Sequence, residues 1–203
     1  MERPPGRRTC LYAAEQLNAV VERMARQAAA VLYGCERIAV IGLLRRGAPL
    51  ADRITALMVE RHGLVPPLRL DLKVKRYADD LALLHPETQL LEDPAHATLD
   101  LQGRSLLVVD DVLYTGHSLL RVLGYLARWS PAEVRVAVLA DRGVARLPMR
   151  ADVVGLRLDV APTDVIECNV PPYESSWRIE LLQPDRGAGS ADEVRGGVRR
   201  EAR

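Results

Sequence analysis

The sequence predicts an open α/β sheet, and three observations carry that reading. Two short runs, residues 37–44 and 105–109, are apolar almost throughout and read as buried strands. Stretches with apolar residues at three- and four-residue spacing alternate with the strands, the order expected of a mainly parallel sheet flanked by helices. The strand ends carry glycine, arginine and aspartate, and in such sheets ligands bind at the carboxyl ends of the strands. A chain of 203 residues can build one sizeable core and not two comfortable ones.

Residues 1–10 contain Pro4, Pro5 and Gly6 and lack apolar periodicity, so they are expected to form a mobile end, as is the C-terminal segment 184–203. A single domain is thereby placed at 11–183. Over residues 11–33, Leu17, Val20, Val21, Met24, Ala28, Val31 and Leu32 recur at helical spacing, and Gly34 stops the helix. The run RIAVIGLL at 37–44 is a strand, Arg45, Arg46 and Gly47 form a loop, and a second helix follows over about 48–61. After Pro66 and Pro67, residues 68–74 alternate apolar and charged side chains, as a half-buried strand does. Residues 76–104 are polar, contain Pro86, Pro94 and Gly103, and show one short helical fragment near 80–84. So long a connection is expected to be a functional lid or a disordered segment. SLLVV at 105–109 is a strand ending in Asp110 and Asp111, 118–129 is a helix, and 134–140 is a strand ending in Asp141, Arg142 and Gly143.

Composition narrows the function. No apolar run reaches the roughly eighteen residues of a membrane span and no basic-then-apolar leader is visible, so a cytoplasmic protein is expected. Cys10, Cys35 and Cys168 are odd in number and lack CxxC spacing, which argues against a disulfide framework and a zinc ribbon. His62, His85 and His96 are scattered and read as surface or loop residues. Of the 28 basic residues, only Lys73 and Lys75 are lysines, and phenylalanine is absent, a bias that discounts arginine abundance as a sign of nucleic-acid binding. Residues 11–183 hold 20 bases and 22 acids, so the body has no global field to draw in polyanions. A generic DNA-coating protein is excluded; a local RNA-binding patch is not.

The stretch LLVVDDVLYTGHSL at 106–119 carries the chemistry. A strand delivers two carboxylates, Asp110 and Asp111, and a turn of Thr115, Gly116, His117 and Ser118 then opens a helix. That turn can present backbone N–H groups and hydroxyls to an anion at the positive end of the helix dipole. The carboxylates would repel a bare phosphate but can accept hydrogen bonds from sugar hydroxyls or help hold a divalent cation. Together these features suggest a ribose 5-phosphate. The plain alternative is a capped helix after a strand with two solvated aspartates.

VVDDVLYTGHS resembles the phosphoribosyl-pyrophosphate (PRPP) signature of type I phosphoribosyltransferases, and VLYTG is most similar to the bacterial pyrimidine operon regulator family, PyrR, which doubles as a uracil phosphoribosyltransferase. IGLLRRGAPLADRI at 41–54 resembles that family's pyrophosphate loop, and VLADRGVARLPMRADVVG at 138–155 its base-side strand and following loop. The resemblance implies the type I phosphoribosyltransferase fold, with a small hood and a flexible lid. It implies that Thr115, Gly116, His117 and Ser118 bind the 5-phosphate, that Asp110 and Asp111 face the ribose hydroxyls, and that Arg45, Arg46 and Gly47 hold the pyrophosphate through backbone amides, with a cis non-proline peptide at that loop. Arg45 stands where the family has threonine, and His117 where close relatives have arginine. Protonation of His117 would let phosphate affinity vary near neutral pH.

Tyr114 replaces the aspartate that purine-salvage relatives set against the purine ring. With Asp141 and Arg142 it implies a pyrimidine on the base side, although Tyr114 can equally be a packing aromatic. KRYADDL at 75–81 resembles the family's lid pattern, which assigns Arg76, Tyr77, Asp79 and Asp80 to the lid; Lys73 and Lys75 share one face of the preceding strand, solvated or catalytic. The implied reaction is attack of uracil N1 on ribose C1 of Mg²⁺-bound PRPP, giving UMP and pyrophosphate, with Mg²⁺ held mainly by substrate oxygens and water and no dedicated protein cage beyond help from Asp110 and Asp111. The family also implies a homodimer or higher oligomer. A second reading is an RNA-binding attenuator that senses UMP or UTP and contacts pyrimidine leader RNA. Arg146 and Arg150 lie on the RNA-contacting segment, but Val144 and Ala145 replace its usual polar residues. A third is a phosphoribosyltransferase for another base.

Overall fold

The computed structural model describes residues 5–73, 100–145 and 147–185. Their elements are β1 (Gly6–Tyr12), α1 (Ala14–Val31), β2 (Ile38–Leu44), α2 (Gly47–His62), β3 (Leu68–Lys73), β4 (Ser105–Leu113), α3 (His117–Ala127), β5 (Glu133–Asp141), β6 (Val153–Arg157), β7 (Val165–Asn169) and β8 (Arg178–Pro184). Five strands form a parallel sheet in the order β3-β2-β4-β5-β6, and three form an antiparallel sheet in the order β1-β8-β7.

The continuous apolar runs of β2 and β4 follow from burial on both faces. Val40, Leu107 and Val109 pack with Leu17, Val21 and Met24 of α1 and Leu50, Ile54 and Met58 of α2. Ala39, Ile41, Leu106 and Val108 belong to a second core with Leu119, Val122 and Leu126 of α3. β3 lies at the edge, where Leu72 is buried between exposed Asp71 and Lys73, the alternation that its sequence predicts.

Chain direction sets the position of the site. From β2 the chain passes through α2 to β3 on one side; from the neighbouring β4 it passes through α3 to β5 on the other. The carboxyl ends of β2 and β4 therefore flank a topological switch point, where open α/β sheets bind ligands.

Two expectations are corrected at the strand ends. The N-terminal segment is not a free end from Gly6 onward: β1 pairs with β8 from Gly6↔Pro184 to Tyr12↔Ile179. A ladder is made by backbone groups and needs no apolar periodicity, and Arg8 adds a 2.8 Å ion pair to Glu167 of β7. Leu11 and Tyr12 accordingly belong to β1, and the helix starts at Ala14. Pro184, assigned to the C-terminal tail, closes β8; residues 186–203 lie outside the described residues.

β4 also outlasts its apolar run. Pairing with β2 ends at Gly42↔Val109, but β5 continues to pair it at Val112↔Ala140 and Leu113↔Asp141. Asp110 and Asp111 are strand residues, so their placement is set by the sheet rather than by a loop.

Candidate active site

The loop after β2 meets β4 at Gly47. A Cβ there would lie 2.4 Å from the Val109 carbonyl oxygen and 3.1 Å from Asp110 Cα, so glycine alone lets residues 45–47 lie directly on the acid-bearing strand. The Leu44–Arg45 peptide is cis, as expected. Both arginine side chains of the loop are engaged by the β7–β8 connection. The Arg45 guanidinium carbon stands 5.4 Å from the centroid of the Tyr173 ring. Arg46 Nη2 donates to Glu174 Oε1 at 2.6 Å, and its Nε donates to both carboxylate oxygens at 3.2 and 3.3 Å. Glu174 Oε2 also accepts the Val170 N–H at 2.8 Å. Hydrogen bonding to Glu174 holds the Arg46 pKa above its ordinary value, against desolvation, with the Asp111 charge adding to the rise. Burial alone would push the Glu174 carboxyl up; the bonds from Arg46 and the Val170 N–H outweigh it and hold the carboxyl below its ordinary value.

The acid pair is not a pair of equals. Asp110 is half-buried, and its Oδ1 accepts the Asp111 N–H at 2.9 Å. Asp111 is only 2% exposed, and its Oδ1 accepts the Val112 N–H at 3.0 Å. Of the two, Asp110 is the more exposed. Among the described residues no group of three or more His, Cys, Asp or Glu is arranged to hold a metal ion.

On the other side of the crevice, Gly116 caps α3 with φ +87°, a left-handed conformation that other residues rarely adopt. His117 Nδ1 lies 2.9 Å from Thr115 Oγ1, and Ser118 stands half-buried in the first helical turn, which carries no acid. The arrangement leaves the positive end of the α3 dipole uncancelled by a nearby carboxylate on that turn.

The three residues expected on the base side are tied into the frame. Tyr114 Oη accepts the Ile166 N–H at 3.1 Å, and the Arg142 guanidinium carbon lies 4.8 Å from the Tyr114 ring centroid. Arg142 is 6% exposed, and its Nη2 donates to the carbonyls of Ala161, Pro162 and Asp164 at 2.7, 2.9 and 2.5 Å. Asp141 Oδ1 accepts the Gly143 N–H at 2.9 Å, closing the turn after β5. Arg142 Nη2 thus serves main-chain carbonyls of the β6–β7 connection, while its buried Nε has no hydrogen-bond partner among the described residues. Tyr114 is braced at both its hydroxyl and its ring.

Lys73 is exposed at the end of β3, opposite Leu44 in register and so beside the 45–47 loop. Arg150 is exposed ahead of β6, with Val144 partly buried and Ala145 exposed. Arg76, Tyr77, Asp79 and Asp80, with Lys75, His85, His96 and Arg146, lie outside the described residues. Sequence reasoning missed Tyr173 and Glu174. The only local signal near them is the turn-forming Pro171-Pro172, and the Arg46–Glu174 contact spans 128 residues.

The phosphoribosyl transferase domain family matches residues 8–176. Curated relatives include the bifunctional protein PyrR of Deinococcus radiodurans, 31% identical over 86% of this chain and 94% of that protein. The PyrR of Thermus thermophilus is 33% identical over 85% and 94%, and that of Roseiflexus sp. is 38% identical over 70% and 76%. Among solved structures, a hypoxanthine phosphoribosyltransferase of Trypanosoma cruzi superposes with a TM-score of 0.69 at 18% identity, covering 88% of this chain and 96% of that one. One from Staphylococcus aureus gives 0.66 at 16% identity, with 87% and 93% covered. At such identity the structural likeness speaks for the fold.

Proposed function

The chain belongs to the phosphoribosyltransferase family, and within it to the PyrR proteins, and on that premise we propose that it transfers the phosphoribosyl group of PRPP to uracil, giving UMP and pyrophosphate. The observation that carries the reading is the contact of Gly47 with Val109 and Asp110, which sets a backbone loop suited to diphosphate against a strand that leads within a few residues to the phosphate-suited start of α3. A molecule with a phosphate at one end, a diphosphate at the other and a ribose between them has one group for each of these elements.

In this reading residues 115–118 take the 5-phosphate through backbone N–H groups at the start of α3 and the Thr115 and Ser118 hydroxyls. Asp110 accepts hydrogen bonds from the ribose hydroxyls, while the charge of buried Asp111 favours the Arg46 cation. The diphosphate rests on the amides of residues 45–47. Mg²⁺ bound to the diphosphate would neutralise it as it leaves, and a half-buried carboxylate such as Asp110 is the hard oxygen donor that suits this ion. The protein's own contribution is to hold two reactants in line in a site already polarised for the charge that develops. Tyr114, braced by Ile166 and Arg142, supplies a rigid wall beside the base and no carboxylate to face a purine ring nitrogen.

The test is formation of the nucleoside monophosphate and pyrophosphate from PRPP with each of a panel of bases at fixed Mg²⁺. Uracil is expected to be used at least tenfold more efficiently than hypoxanthine or guanine, a gap of about 1.4 kcal/mol in transition-state binding. Preference for a purine would overturn the reading. A parallel titration with pyrimidine leader RNA across salt concentrations separates the regulator from the enzyme: UMP-modulated RNA binding without turnover would reverse the assignment.

A further inference from the structure

We propose that Tyr173 and Glu174, on the connection between β7 and β8, are positioning residues for PRPP, and that they act by gripping two consecutive side chains of the diphosphate loop, Arg45 and Arg46. The inference rests on the reading of residues 45–47 as that loop. Neighbouring residues on one turn meet neighbouring residues on the other: the Arg45 guanidinium lies over the Tyr173 ring, and Arg46 is bidentate on Glu174. Side-chain exposure is 30% for Arg46 and 14% for Glu174, so the pair is shielded from much of the solvent screening that weakens surface pairs.

The grip is itself braced. Glu174 Oε2 accepts the Val170 N–H, and the Tyr173 and Glu174 N–H groups both donate to the Val170 carbonyl at 3.1 and 3.3 Å, so the turn that presents the two side chains is closed on itself. On the loop side, the close approach of Gly47 to Val109 fixes the other end. Residues 45–47 are therefore pinned between β4 beneath and the small sheet's turn above. With Arg46 committed to Glu174, the backbone amides of the loop, together with the N–H donors that exposed Arg45 keeps while stacked on Tyr173, are left to meet a diphosphate. Their geometry then depends on a fork-to-carboxylate contact that a lysine could not reproduce.

The experiment measures Mg²⁺–PRPP and pyrophosphate binding by calorimetry, without uracil, in wild type, Glu174→Gln, Glu174→Asp and Tyr173→Leu, with thermal unfolding of each. Glu174→Gln keeps the shape and removes the charge, and PRPP affinity is expected to fall roughly tenfold, the scale of losing one charge from a partly buried pair. Steady-state kinetics should show that loss in KM for PRPP, with KM for uracil within about twofold, and Glu174→Asp should recover part of it. PRPP and pyrophosphate affinities unchanged in folded Glu174→Gln and Tyr173→Leu would overturn the proposal, as would a loss shared equally by uracil. Because binding is read without turnover, a wild type that holds PRPP yet makes no UMP would sink the uracil reading and still test the grip.

Discussion

The loop that follows β2 and the loop that follows β4 are held in opposite ways. Residues 115–118 are organised largely by themselves: Gly116 takes the left-handed conformation that caps α3, and Thr115 and His117 meet at 2.9 Å. Residues 45–47 are organised by the rest of the molecule, through Gly47 against β4 and through Arg46 held by Glu174, 128 positions away. A self-organised loop carries its geometry in its own sequence. A loop held from afar has its geometry only when the small sheet docks, so that sheet is a working part of the site rather than an appendage.

The largest effect should come from severing the distant loop at its foot. In Gly47→Ala the new methyl would sit 2.4 Å from a backbone oxygen, which no rotamer change relieves. The loop must lift from β4, with a stability loss of about 1–3 kcal/mol, the scale of overpacking in a close-packed interior. Calorimetry should show Mg²⁺–PRPP affinity falling by about a hundredfold or more, since a displacement of about an ångström costs that much in an oriented site. Ribose 5-phosphate, held by its phosphate on the self-organised loop and by its hydroxyls on Asp110, should lose much less. If both ligands are lost together, the two loops are not independent and the comparison fails.

The mirror experiment is Gly116→Ala, and it should be milder. A non-glycine residue at φ +87° costs about 1–2 kcal/mol, and the nearest obstacle is the root of the Met149 side chain, Cγ and Cβ at 3.1 and 3.3 Å from the new Cβ, which needs to give by only a few tenths of an ångström. Ribose 5-phosphate affinity should fall roughly tenfold by that reckoning, and pyrophosphate binding should hold. A loss of pyrophosphate affinity equal to that of ribose 5-phosphate would show that the α3 cap supports both ends of the crevice.

This division also explains how far the sequence could be read. Apolar runs, alternation and helical spacing identify β2, β3, β4 and β5 and the helices because each is a local consequence of burial, and the phosphate loop is visible for the same reason; the fifth strand of the parallel sheet, β6, is not among the strands that the sequence predicts. The three-stranded sheet is not visible either: β1 reads as Arg-Arg-Thr-Cys, with no apolar alternation, and it forms because β8 offers it a backbone edge. Arg142 shows the limit most clearly. Its place after a strand suggests a ligand contact, and its Nη2 also donates to three carbonyls of the β6–β7 connection, contacts that nothing near position 142 announces. Glu174 is hidden by the same logic in reverse, a surface-looking acid whose partner lies across the fold.

Acid provides a finer way to loosen one loop and spare the other. The Glu174 carboxyl is held below its ordinary value of 4.5, so its pair with Arg46 contributes stability fully present above that pH and lost as pH falls through the depressed folded-state value. Arg46, raised further by the same contact, stays charged throughout. The difference in unfolding free energy between wild type and Glu174→Gln should therefore be on the order of 1 kcal/mol near neutrality, steady down to about pH 5, and should shrink below it. A difference that grows on acidification would mean that the carboxyl is destabilised in place.

The smallest change sharpens the self-organised side. His117 spends Nδ1 on Thr115, a contact that holds the turn but commits both a ring nitrogen and a hydroxyl that could otherwise face phosphate. In His117→Arg, the guanidinium brings permanent charge and a fork geometry suited to phosphate oxygens, while Thr115 Oγ1 is released. Ribose 5-phosphate should then bind about threefold to tenfold tighter, in line with about 0.7–1.4 kcal/mol from one partly solvated charge-assisted contact. The gain should be confined to the phosphate end, with pyrophosphate affinity unmoved, because residues 45–47 take their geometry from β4 and the small sheet. Weaker binding of ribose 5-phosphate by this variant would show that the Thr115–His117 contact matters more to the turn than the added charge matters to the ligand.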